Sequence, residues 1–433
     1  MTPELKTVRL SEIVFDPVIY PRRDHDPALV QQYVRDLEQI RAAQRHIVVS
    51  PDLKILDGKH RWLAYRTRFD GHDPEMPVLV YPVTEPREQL RLAAKLNSNH
   101  GAQLSEEDKE QDAKTLHSYG LNYDEIAEAL FVSKSTVQAW LARTVKEEKD
   151  KRDRAIHRMW LRCRTQEEIA EAIGCPRKTV DDQIGTFGDL VQEYRSAKTA
   201  AEHETDYESA FYNIWKQQTK SDGPSHFGNS EVRWVDHLLY YYTQPFDIVV
   251  DPFAGSGSTL DICSKRWRRC WISDRKPIVA RETDIRRHDL MTDGLPPLNK
   301  RWSEVSLVYL DPPYWRQAAG KYSDDPTDLA NMELDEFNKA LSGIINGFLG
   351  KLRGQNRQRP GYVALIIQPT QWKADERAYT DHVFDMARLV KGDVAMRISA
   401  PYQTEQYNAQ QVEWAKANRE WLVLTREIIV WRA

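Results

Sequence analysis

Cysteine is scarce in this chain of 433 residues. The four cysteines are Cys163, Cys175, Cys263 and Cys270, and no two of them have C-x-x-C spacing. Disulfide frameworks and structural zinc sites both require organised groups of cysteine. We therefore expect reduced thiols and no bound metal.

Long apolar runs and a strong charge of one sign are also missing. No apolar run reaches the roughly 18 residues that a membrane helix needs, and the N-terminal stretch MTPELKTVRLSEIVF lacks the apolar core of a signal peptide. These absences predict a cytoplasmic protein without a membrane partner. The formal net charge is -4 at pH 7, so a nucleic acid would have to bind to local basic faces.

The composition and length are those of a multidomain globular protein, with 41% hydrophobic and 29% charged residues. Residues 1–95 alternate short β-branched runs with helical stretches, which indicates a small α/β domain. Residues 96–200 are helical and highly charged. Residues 205–433 alternate strand-like runs with helical patterns, which favours a doubly wound parallel sheet.

The helical region contains an internal repeat. Residues 121–142 and 164–185 share the frame E-I-A-E-A-(L/I), followed by a turn and then T-V. Two short helices joined by a tight turn are typical of a helix-turn-helix unit, and also of an ordinary helical hairpin.

A glycine-containing turn in the third region indicates a cofactor site. The segment D-P-F-A-G-S-G-S-T, residues 251–259, follows an apolar strand and precedes a helical pattern. Glycines at such a turn allow a ligand to approach the backbone, although packing alone can also select them. The candidate cofactor-binding residues in this segment are Asp251, Phe253, Ala254, Gly255, Gly257, Ser258 and Thr259.

Two acidic residues farther along extend this candidate site. Asp274 ends the next strand-like run, where a carboxylate can accept hydrogen bonds from the ribose hydroxyls of an adenosine cofactor. Asp289 is placed to meet an adenine amino group, and a helix cap or a surface charge is the alternative for it.

The segment Asp311-Pro312-Pro313-Tyr314-Trp315 directly follows an apolar run. The prolines remove two backbone donors and stiffen the chain at the carboxyl end of a strand, the end at which open α/β sheets bind ligands. A carboxylate, a carbonyl and an aromatic ring are thus presented together. Asp311, Pro312, Pro313 and Tyr314 are the candidate catalytic residues, and a rigid turn with an aromatic plug is the alternative.

The motifs of residues 205–433 resemble those of the Rossmann-like DNA amino-methyltransferases. D-P-F-A-G-S-G-S-T resembles their cofactor motif and D-P-P-Y-W their catalytic motif, while residues 227–240 resemble the helix that lines the methionine end of the cofactor. The resemblance implies S-adenosylmethionine as cofactor and double-stranded DNA as partner. It also implies that Asp311 and the Pro312 carbonyl accept hydrogen bonds from an exocyclic amine, while Tyr314 stacks on a flipped-out base.

The target of the transfer is less sharply specified. In this family an Asp at the head of the catalytic motif favours N6 of adenine over N4 of cytosine, but not absolutely. Relatives with Asn-Pro-Pro-Tyr act on RNA or on protein glutamine, so an RNA substrate stays open. A nucleotide-gated DNA-binding regulator, whose methyltransferase fold only senses cofactor, is a further alternative. The oligomeric state, with a homodimer as one option, and a place in restriction-modification stay open as well.

The N-terminal region resembles the ParB/sulfiredoxin-like domains. Residues 8–13 with Tyr20-Pro21-Arg22 resemble the opening of that domain, and residues 56–64 resemble its G-x-x-R-x-x-A motif. The resemblance implies that CTP or another nucleotide binds at the start of a helix, at Gly58, Lys59, His60 and Arg61. The next motif of the family, Glu-Asn-x-x-Arg, is not reproduced, because residues 96–101 read L-N-S-N-H-G.

The repeated segments resemble helix-turn-helix units. Their support helices are expected at residues 123–130 and 166–173, and their recognition helices at 134–142 and 177–184. Ile126, Ala127, Leu130 and Val137 are expected to form the apolar core of the first unit. The residues expected to face DNA are Ser133, Lys134, Ser135 and Gln138 in the first unit and Arg177, Lys178 and Thr179 in the second. Since little more than a hundred residues follow Trp315, we expect these modules to do part of the sequence reading.

Overall fold

The computed structural model describes residues 2–22, 25–99, 104–195, 206–218, 231–371, 379–403 and 407–433. The chain divides into two compact units, residues 1–151 and 152–433. The boundary lies inside one helix and separates the two repeated segments, which the sequence pattern had grouped into one region. Among the described helices, none has the length and apolar character that crossing a membrane requires.

The first unit begins with a small mixed α/β layer. Its elements are β1 Glu4–Arg9, α1 Pro27–Arg35, α2 Leu37–Ala42, β2 Ile47–Val49, β3 Ile55–Asp57, α3 Lys59–Arg68, β4 Glu75–Val80 and α4 Pro86–Asn99, with a short 3-10 turn at Leu10–Glu12. The strands lie in the order β1-β4-β2-β3, with β1 antiparallel and β2 parallel to β4. Val49, Ile55 and Val78 are fully buried in its core. The expected α/β character of this region is confirmed.

The first repeated segment forms a pair of helices joined by a tight turn. After α5 (Glu106–Ser118) come α6 (Tyr123–Leu130) and α7 (Lys134–Leu161). Helix α6 begins at a capping box, in which Asn122 accepts the amides of Asp124 and Glu125 at 3.0 Å and the Glu125 carboxylate accepts the Asn122 amide at 2.8 Å. It ends at Phe131, whose φ of 52° is left-handed. The helix starts agree with the sequence pattern, but α7 continues well beyond residue 142.

The apolar core of this helix pair is the one expected. Ile126, Leu130 and Val137 are fully buried, and Ala127 packs against them from a partly buried position. These residues recur at helical spacing on one face of each helix, so burying them fixes the two helices against each other.

The second unit opens with the second repeated segment and continues into a large sheet domain. Its helices are α8 Gln166–Ile173, α9 Arg177–Gly185, α10 Phe187–Tyr194, α11 Val232–Tyr242, α12 Ser258–Lys265, α13 Leu334–Arg353, α14 His382–Leu389 and α15 Ala409–Asn418. Its strands are β5 Ile248–Asp251, β6 Arg269–Asp274, β7 Arg286–Arg287, β8 Val305–Leu310, β9 Tyr362–Ile367, β10 Thr370–Gln371, β11 Tyr379–Thr380, β12 Asp393–Pro401 and β13 Thr425–Arg432. Short 3-10 turns lie at Val279–Arg281, Asn299–Glu304 and Leu329–Asn331.

The large sheet has the described strand order β12-β13-β9-β8-β5-β6-β7. Strands β5 to β9 pair in parallel, whereas β13 is antiparallel to both β9 and β12. The prediction of a parallel sheet is therefore correct for the centre and wrong for one edge. The strands β12 and β13 are consecutive in the chain and adjacent at one side of the sheet. The chain reverses direction between them, so the two strands run antiparallel.

The sheet is covered on both faces, as the predicted doubly wound architecture requires. Along β8, Val308 and Leu310 join the core under α13 and α14, whereas Leu307 and Tyr309 join the core under α11 and α12. Successive side chains of a strand point to opposite faces, so a strand buried on both faces reads as a continuous apolar run.

The turn at residues 162–163, which leads into the second repeated segment, packs directly on this sheet domain. Cys163 is fully buried in the sheet core, and its carbonyl oxygen accepts Arg286 at 2.9 Å and Arg301 at 2.8 Å. Arg162 pairs with Asp284 at 3.1 Å. The helix pair α8–α9 is thus an integral part of the second unit.

One buried ion pair joins α11 to the residue that follows α12. Asp236 accepts two hydrogen bonds from Arg266, at 2.7 Å from Nε and 2.6 Å from Nη2, and the Arg266 side chain is 3% exposed. Removing the buried partner of such a pair leaves the charge of Arg266 without its buried counter-ion. We expect Asp236→Ala to lower the free energy of unfolding by about 3–5 kcal/mol, measured by urea denaturation.

Asp206→Ala is the matched control for this prediction. Asp206 bonds the same guanidinium at 2.5 Å, but its side chain is 52% exposed. Its loss should therefore be much smaller, since exposed ion pairs contribute little. Equal losses in the two variants would contradict the assignment of the stability to the buried pair.

Candidate active site

Three carboxylates meet at one edge of the large sheet. Asp251 is the last residue of β5, Asp274 is the last residue of β6, and Asp311 directly follows β8. The chain moves outward from β5 through β6 and β7 and then crosses to β8 on the other side of β5. Parallel sheets bind ligands at such a switch point, outside the carboxyl ends of the strands. The fold therefore brings together the candidate cofactor and catalytic residues that lie farthest apart in the sequence.

Asp251 lies at the bottom of this edge and is 1% exposed. Its Oδ1 accepts the Phe253 amide at 2.9 Å. Burial raises the pKa of Asp251 to about 7; hydrogen bonds from Thr259 and Phe253 oppose the rise, while the charges of Asp311 and Asp274 add to it. The carboxyl group therefore changes charge near neutral pH.

The glycine turn wraps from Asp251 to the start of α12. The Ala254 amide donates to the Ser273 carbonyl at 3.0 Å, and the Gly255 amide donates to the Asp274 carboxylate at 2.9 Å. Gly257 has a φ of 83°, and a Cβ there would come within 3.0 Å of both Arg281 and Ile285. The positive φ favours glycine at this position, and a side chain there would also require Arg281 and Ile285 to shift.

The remaining turn residues differ in exposure. Ser258 and Phe253 are half-buried and Thr259 is buried beneath them. Asp274 holds the turn with both carboxylate oxygens, because Oδ1 also accepts the Lys276 amide at 2.8 Å. Each oxygen keeps a second lone pair for an incoming hydroxyl donor.

Asp289 is already engaged in the described structure. Its carboxylate pairs with Arg275 at 3.0 Å and accepts the Met291 amide at 2.9 Å. Arg275 also donates to Thr327 at 3.0 Å and pairs with Asp325. Arg275 therefore links Asp289 to the loop that follows the catalytic segment. Sequence reasoning missed this residue, because nothing in its local pattern signals a partner fifty positions away.

The catalytic segment is fixed at its far end. The Trp315 indole donates to the Met332 carbonyl at 2.8 Å, and the Trp315 carbonyl accepts the Thr370 hydroxyl at 3.2 Å. Pro312 is buried and Pro313 is half-buried. These contacts leave Asp311 and Tyr314 at the sheet edge on a stiff stretch of backbone.

Tyr314 is tied to Asp311 and to a distant arginine. Its hydroxyl donates to Asp311 Oδ1 at 3.3 Å. Burial and then the charge of Asp311 hold the pKa of Tyr314 well above its usual value, against the opposing charge of Arg426. Arg426 lies on β13 and has no motif in the sequence that would have identified it.

Tyr322 is a second residue that the sequence did not single out. Burial first, then the charges of Asp311 and Asp274, raise its pKa to about 12. It is therefore close to both the cofactor side and the catalytic side of the edge. Its loop is held by Asn331, whose side-chain amide donates to the carbonyls of Ser323 and Asp325 at 2.9 Å.

The candidate nucleotide residues of the first unit are turned inward. Gly58 has a φ of 98° at the start of α3. Arg61 pairs with Asp57 at 2.7 Å and donates to the His46 carbonyl at 2.9 Å. Arg61, named as a phosphate ligand by the resemblance, thus has two protein acceptors.

Lys59 and His60 are buried beside it. His60 Nε2 accepts the Asp26 amide at 3.0 Å, and burial, aided by Arg22 and Lys59, lowers the pKa of His60 to about 4. The ammonium of Lys59 lies 4.5 Å from the Phe15 ring centroid. These two side chains stabilise the fold of the domain as described.

Asn97, which lies where the resemblance to the ParB-like motif ends, has a structural role. Asn97 donates to the carbonyls of Leu56 and Ala93 at 2.8 Å and accepts the Tyr20 hydroxyl at 2.9 Å. His100 and Gly101 lie outside the described residues, as do residues 227–230 of the stretch expected to line the cofactor.

The candidate DNA-facing residues lie at the starts of α7 and α9. Lys134, Ser135 and Gln138 are exposed in the first unit. In the second unit Arg177 and Lys178 are exposed and Thr179 is half-buried. Two of the cations are paired locally: Lys134 with Asp124 at 2.8 Å, and Arg177 with Glu167 at 2.7 Å. Such exposed pairs cost little to exchange for a phosphate.

Comparison with solved structures finds ParB proteins. ParB from Caulobacter crescentus, C-terminally truncated and complexed with CTP-gamma-S, is 18% identical over 32% of this chain and 77% of that chain, with a TM-score of 0.19. The same protein complexed to the centromeric parS site is 20% identical over 31% and 70%, with a TM-score of 0.24. A Pnob8-like ParB-N domain is 14% identical over 33% and 69%, also with a TM-score of 0.24.

Comparison with curated proteins gives no match. The family model described as DNA methylase, of the N6/N4 type, matches residues 95–279. The matched residues include Asp251, the glycine turn and Asp274, and they end before Asp311. Residues 95–279 of the chain are therefore similar to the DNA methylases of the N6/N4 type.

Proposed function

We propose that the chain is a site-specific DNA methyltransferase that modifies the N6 amino group of adenine. The observation that carries the proposal is the position of Asp311, which follows β8 at the edge where Asp251 and Asp274 also end their strands. A carboxylate at the head of the D-P-P-Y segment favours adenine through the family resemblance.

The residues of this edge suit S-adenosylmethionine. That cofactor offers an ammonium group, ribose hydroxyls and an adenine amine, all of which are hydrogen-bond donors. The edge offers acceptors, namely the carboxylates of Asp251 and Asp274, next to a turn in which Gly257 has a positive φ of 83°. When bound, the cofactor would supply the activated methyl group that the exocyclic amine accepts.

The protein's own contribution is to hold the amine. Asp311 accepts one amino hydrogen and the Pro312 carbonyl the other, which keeps the nitrogen lone pair directed at the methyl group and stabilises the positive charge that develops on nitrogen. The amine loses one proton after the transfer, and Asp311 is the adjacent acceptor. Tyr314 lies next to Asp311 and offers its ring to the flipped base.

Nucleoside mass spectrometry tests the proposal. Unmethylated duplex DNA is incubated with the full chain and S-adenosylmethionine, with Asp311→Ala as control and structured RNA as a competing substrate. N6-methyladenine that disappears in the variant is the expected result. N4-methylcytosine would keep the mechanism and correct the base. Methylated RNA alone, or no methylated base despite cofactor binding, would overturn the DNA assignment.

We further propose that both helix pairs read DNA. Replacing Lys134 and Gln138 by alanine in the first pair, or Arg177 and Lys178 in the second, removes candidate phosphate and base contacts. We expect each double variant to raise KM for DNA about tenfold with kcat unchanged, and to reduce the salt dependence of binding by about one phosphate contact. Fluorescence anisotropy at several salt concentrations measures this.

Arg143→Ala is the control for these variants, because Arg143 lies farther along α7 and its side chain is 90% exposed. An effect of Arg143→Ala as large as that of the double variants would contradict specific reading. Point variants are preferable to deleting residues 1–200, since such a deletion would remove Cys163 from the sheet core.

A further inference from the structure

Arg426 is a buried cation beside the catalytic segment. It is the second residue of β13 and is 5% exposed. Its guanidinium carbon lies 4.4 Å from the ring centroid of Trp234 and 4.4 Å from that of Tyr402. The flat guanidinium is thus clamped between two rings contributed by α11 and by the residue that follows β12. A clamp of this kind fixes the direction in which the group donates hydrogen bonds.

The acceptor that Arg426 reaches is Tyr314. A side-chain hydrogen bond joins them, and Tyr314 in turn donates to Asp311 Oδ1 at 3.3 Å. Burial opposes the charge of Arg426, but Tyr314, Tyr402 and Asp311 outweigh it and raise the pKa of the guanidinium. Its Nε has no hydrogen-bond partner within the part of the chain that the structure describes. At least one N–H donor of Arg426 is therefore not used in hydrogen bonds that stabilise the fold.

The charges around Asp311 explain what this cation does. The groups that interact electrostatically with Asp311 include Asp251, Tyr314, Tyr322, Tyr402 and Arg426. Arg426 brings a positive charge to this cluster. The facing group from α11 is Trp234, which does not titrate. A nearby cation favours the anionic form of a carboxylate, and that form keeps its full capacity to accept hydrogen bonds.

We propose that Arg426 is a positioning residue for the methyl transfer: its clamped guanidinium orients the Tyr314 hydroxyl toward Asp311 and supplies the positive charge that keeps Asp311 an anionic acceptor. The inference rests on the proposed function for its catalytic consequence. Arg426 does not need to touch the base or the cofactor, and it acts through Tyr314 and Asp311.

Two substitutions separate the charge of Arg426 from its shape. Arg426→Gln keeps a hydrogen-bond donor and removes the charge, whereas Arg426→Lys keeps the charge and removes the flat fork. Arg397→Gln is the matched control, because Arg397 lies on the neighbouring strand β12 and pairs with Glu427 at 3.1 Å, with its side chain 51% exposed. Thermal unfolding and cofactor titration of all variants establish that each is folded.

The pH dependence of kcat is the first measurement. Activity falls on the acid side as Asp311 gains a proton, so removing the cation must shift that limb to higher pH. We expect Arg426→Gln to lower kcat about 10–100-fold and to shift the acid limb upward by about one pH unit. Arg426→Lys should lower kcat about tenfold with the acid limb close to that of the wild type. Arg397→Gln should leave both unchanged.

The second measurement does not need activity. In protein labelled with ¹³C at aspartate carboxyl groups, the Asp311 signal is the one that disappears in Asp311→Asn. Its titration midpoint should rise by about one pH unit in Arg426→Gln and stay in place in Arg397→Gln. If the wild type methylates no base but this shift occurs, the proposed function fails and the inference about Arg426 stands.

The opposite result separates the two claims in the other direction. A wild type that methylates DNA, with neither the acid limb nor the Asp311 signal displaced in Arg426→Gln, would overturn the role of Arg426 and leave the function intact. If Arg426→Gln does not fold, the test rests on Arg426→Lys. A kcat equal to that of the wild type in Arg426→Lys would show that the guanidinium of Arg426 does not position Tyr314.

Discussion

Replacing Asp311 by alanine is expected to lower kcat for methyl transfer by about 10²–10³-fold. Asp311 follows β8 at the switch point of the sheet, where it can accept a hydrogen from the target amine. The alanine variant keeps the glycine turn, Asp251 and Asp274, so the affinity for S-adenosylmethionine should change by no more than about threefold. A loss confined to kcat identifies an interaction made mainly in the transition state.

Single-turnover methylation with labelled cofactor measures this loss, and isothermal titration calorimetry measures cofactor binding. Asp324→Ala is the control, because Asp324 is an exposed carboxylate on the loop after the catalytic segment. The prediction fails if Asp311→Ala retains more than about a tenth of the wild-type rate. It also fails if Asp324→Ala loses as much, since the effect would then belong to the loop and not to the acceptor.

The local parts of this architecture could be predicted from the sequence. The bounds of α6 and α8 match the repeated frame, because each helix begins at a capping box and ends at a left-handed residue, Phe131 or Gly174. The glycine turn and the D-P-P-Y segment lie at strand ends, as the apolar run before each of them predicted. In each case residues a few positions apart determine the backbone.

The long-range parts could not be predicted. The pairing of Asp289 with Arg275 and the contact of Arg426 with Tyr314 depend on which strands lie side by side. The antiparallel edge made by β12 and β13 has the same apolar pattern as a parallel strand, so periodicity alone does not give its direction. Arg426 in particular sits in a buried strand, where a sequence pattern favours an apolar residue.

The sequence also did not show that the two helix pairs belong to different compact units. The repeat has the same frame in both copies, and that similarity favoured a single helical region. The difference lies in a few residues around Cys163, whose burial in the sheet core and carbonyl contacts with Arg286 and Arg301 build the second pair into the sheet domain. Similar helix pairs can therefore belong to different units when their flanking residues differ.

The second large effect concerns Asp251 and pH. Its pKa of about 7 in the folded chain compares with an ordinary value of 3.8. Between these values the folded chain holds a proton that the unfolded chain has released, so the contribution of Asp251 to stability falls as pH rises. The contribution is fully present below pH 4 and is lost as pH rises through 7. A carboxylate in a salt bridge shows the opposite trend, because its contribution to stability increases as pH rises.

Asp251→Asn removes this titration while keeping the shape of the side chain. Relative to the wild type, the free energy of unfolding of the variant should therefore increase by roughly 2–3 kcal/mol between pH 5 and pH 8, as measured by urea denaturation across that range. Asp324→Asn, at an exposed position, should show no such trend. A pH-independent difference for Asp251→Asn would mean that the buried carboxyl does not titrate near neutrality.

The titration of Asp251 should also make cofactor binding depend on pH. The cofactor carries positive charge, which favours the carboxylate form of a neighbouring Asp251, so binding near pH 6.5 should release up to about one proton. Calorimetry in two buffers of different ionisation enthalpy counts that proton, and affinity should rise by as much as about tenfold per pH unit below the pKa. The Asp251→Asn variant should release close to zero protons when it binds the cofactor, both below and above the pKa of Asp251. Proton release that persists in the variant would assign the titration to another group, and release that disappears would place a neutral-pH carboxyl at the floor of the cofactor site.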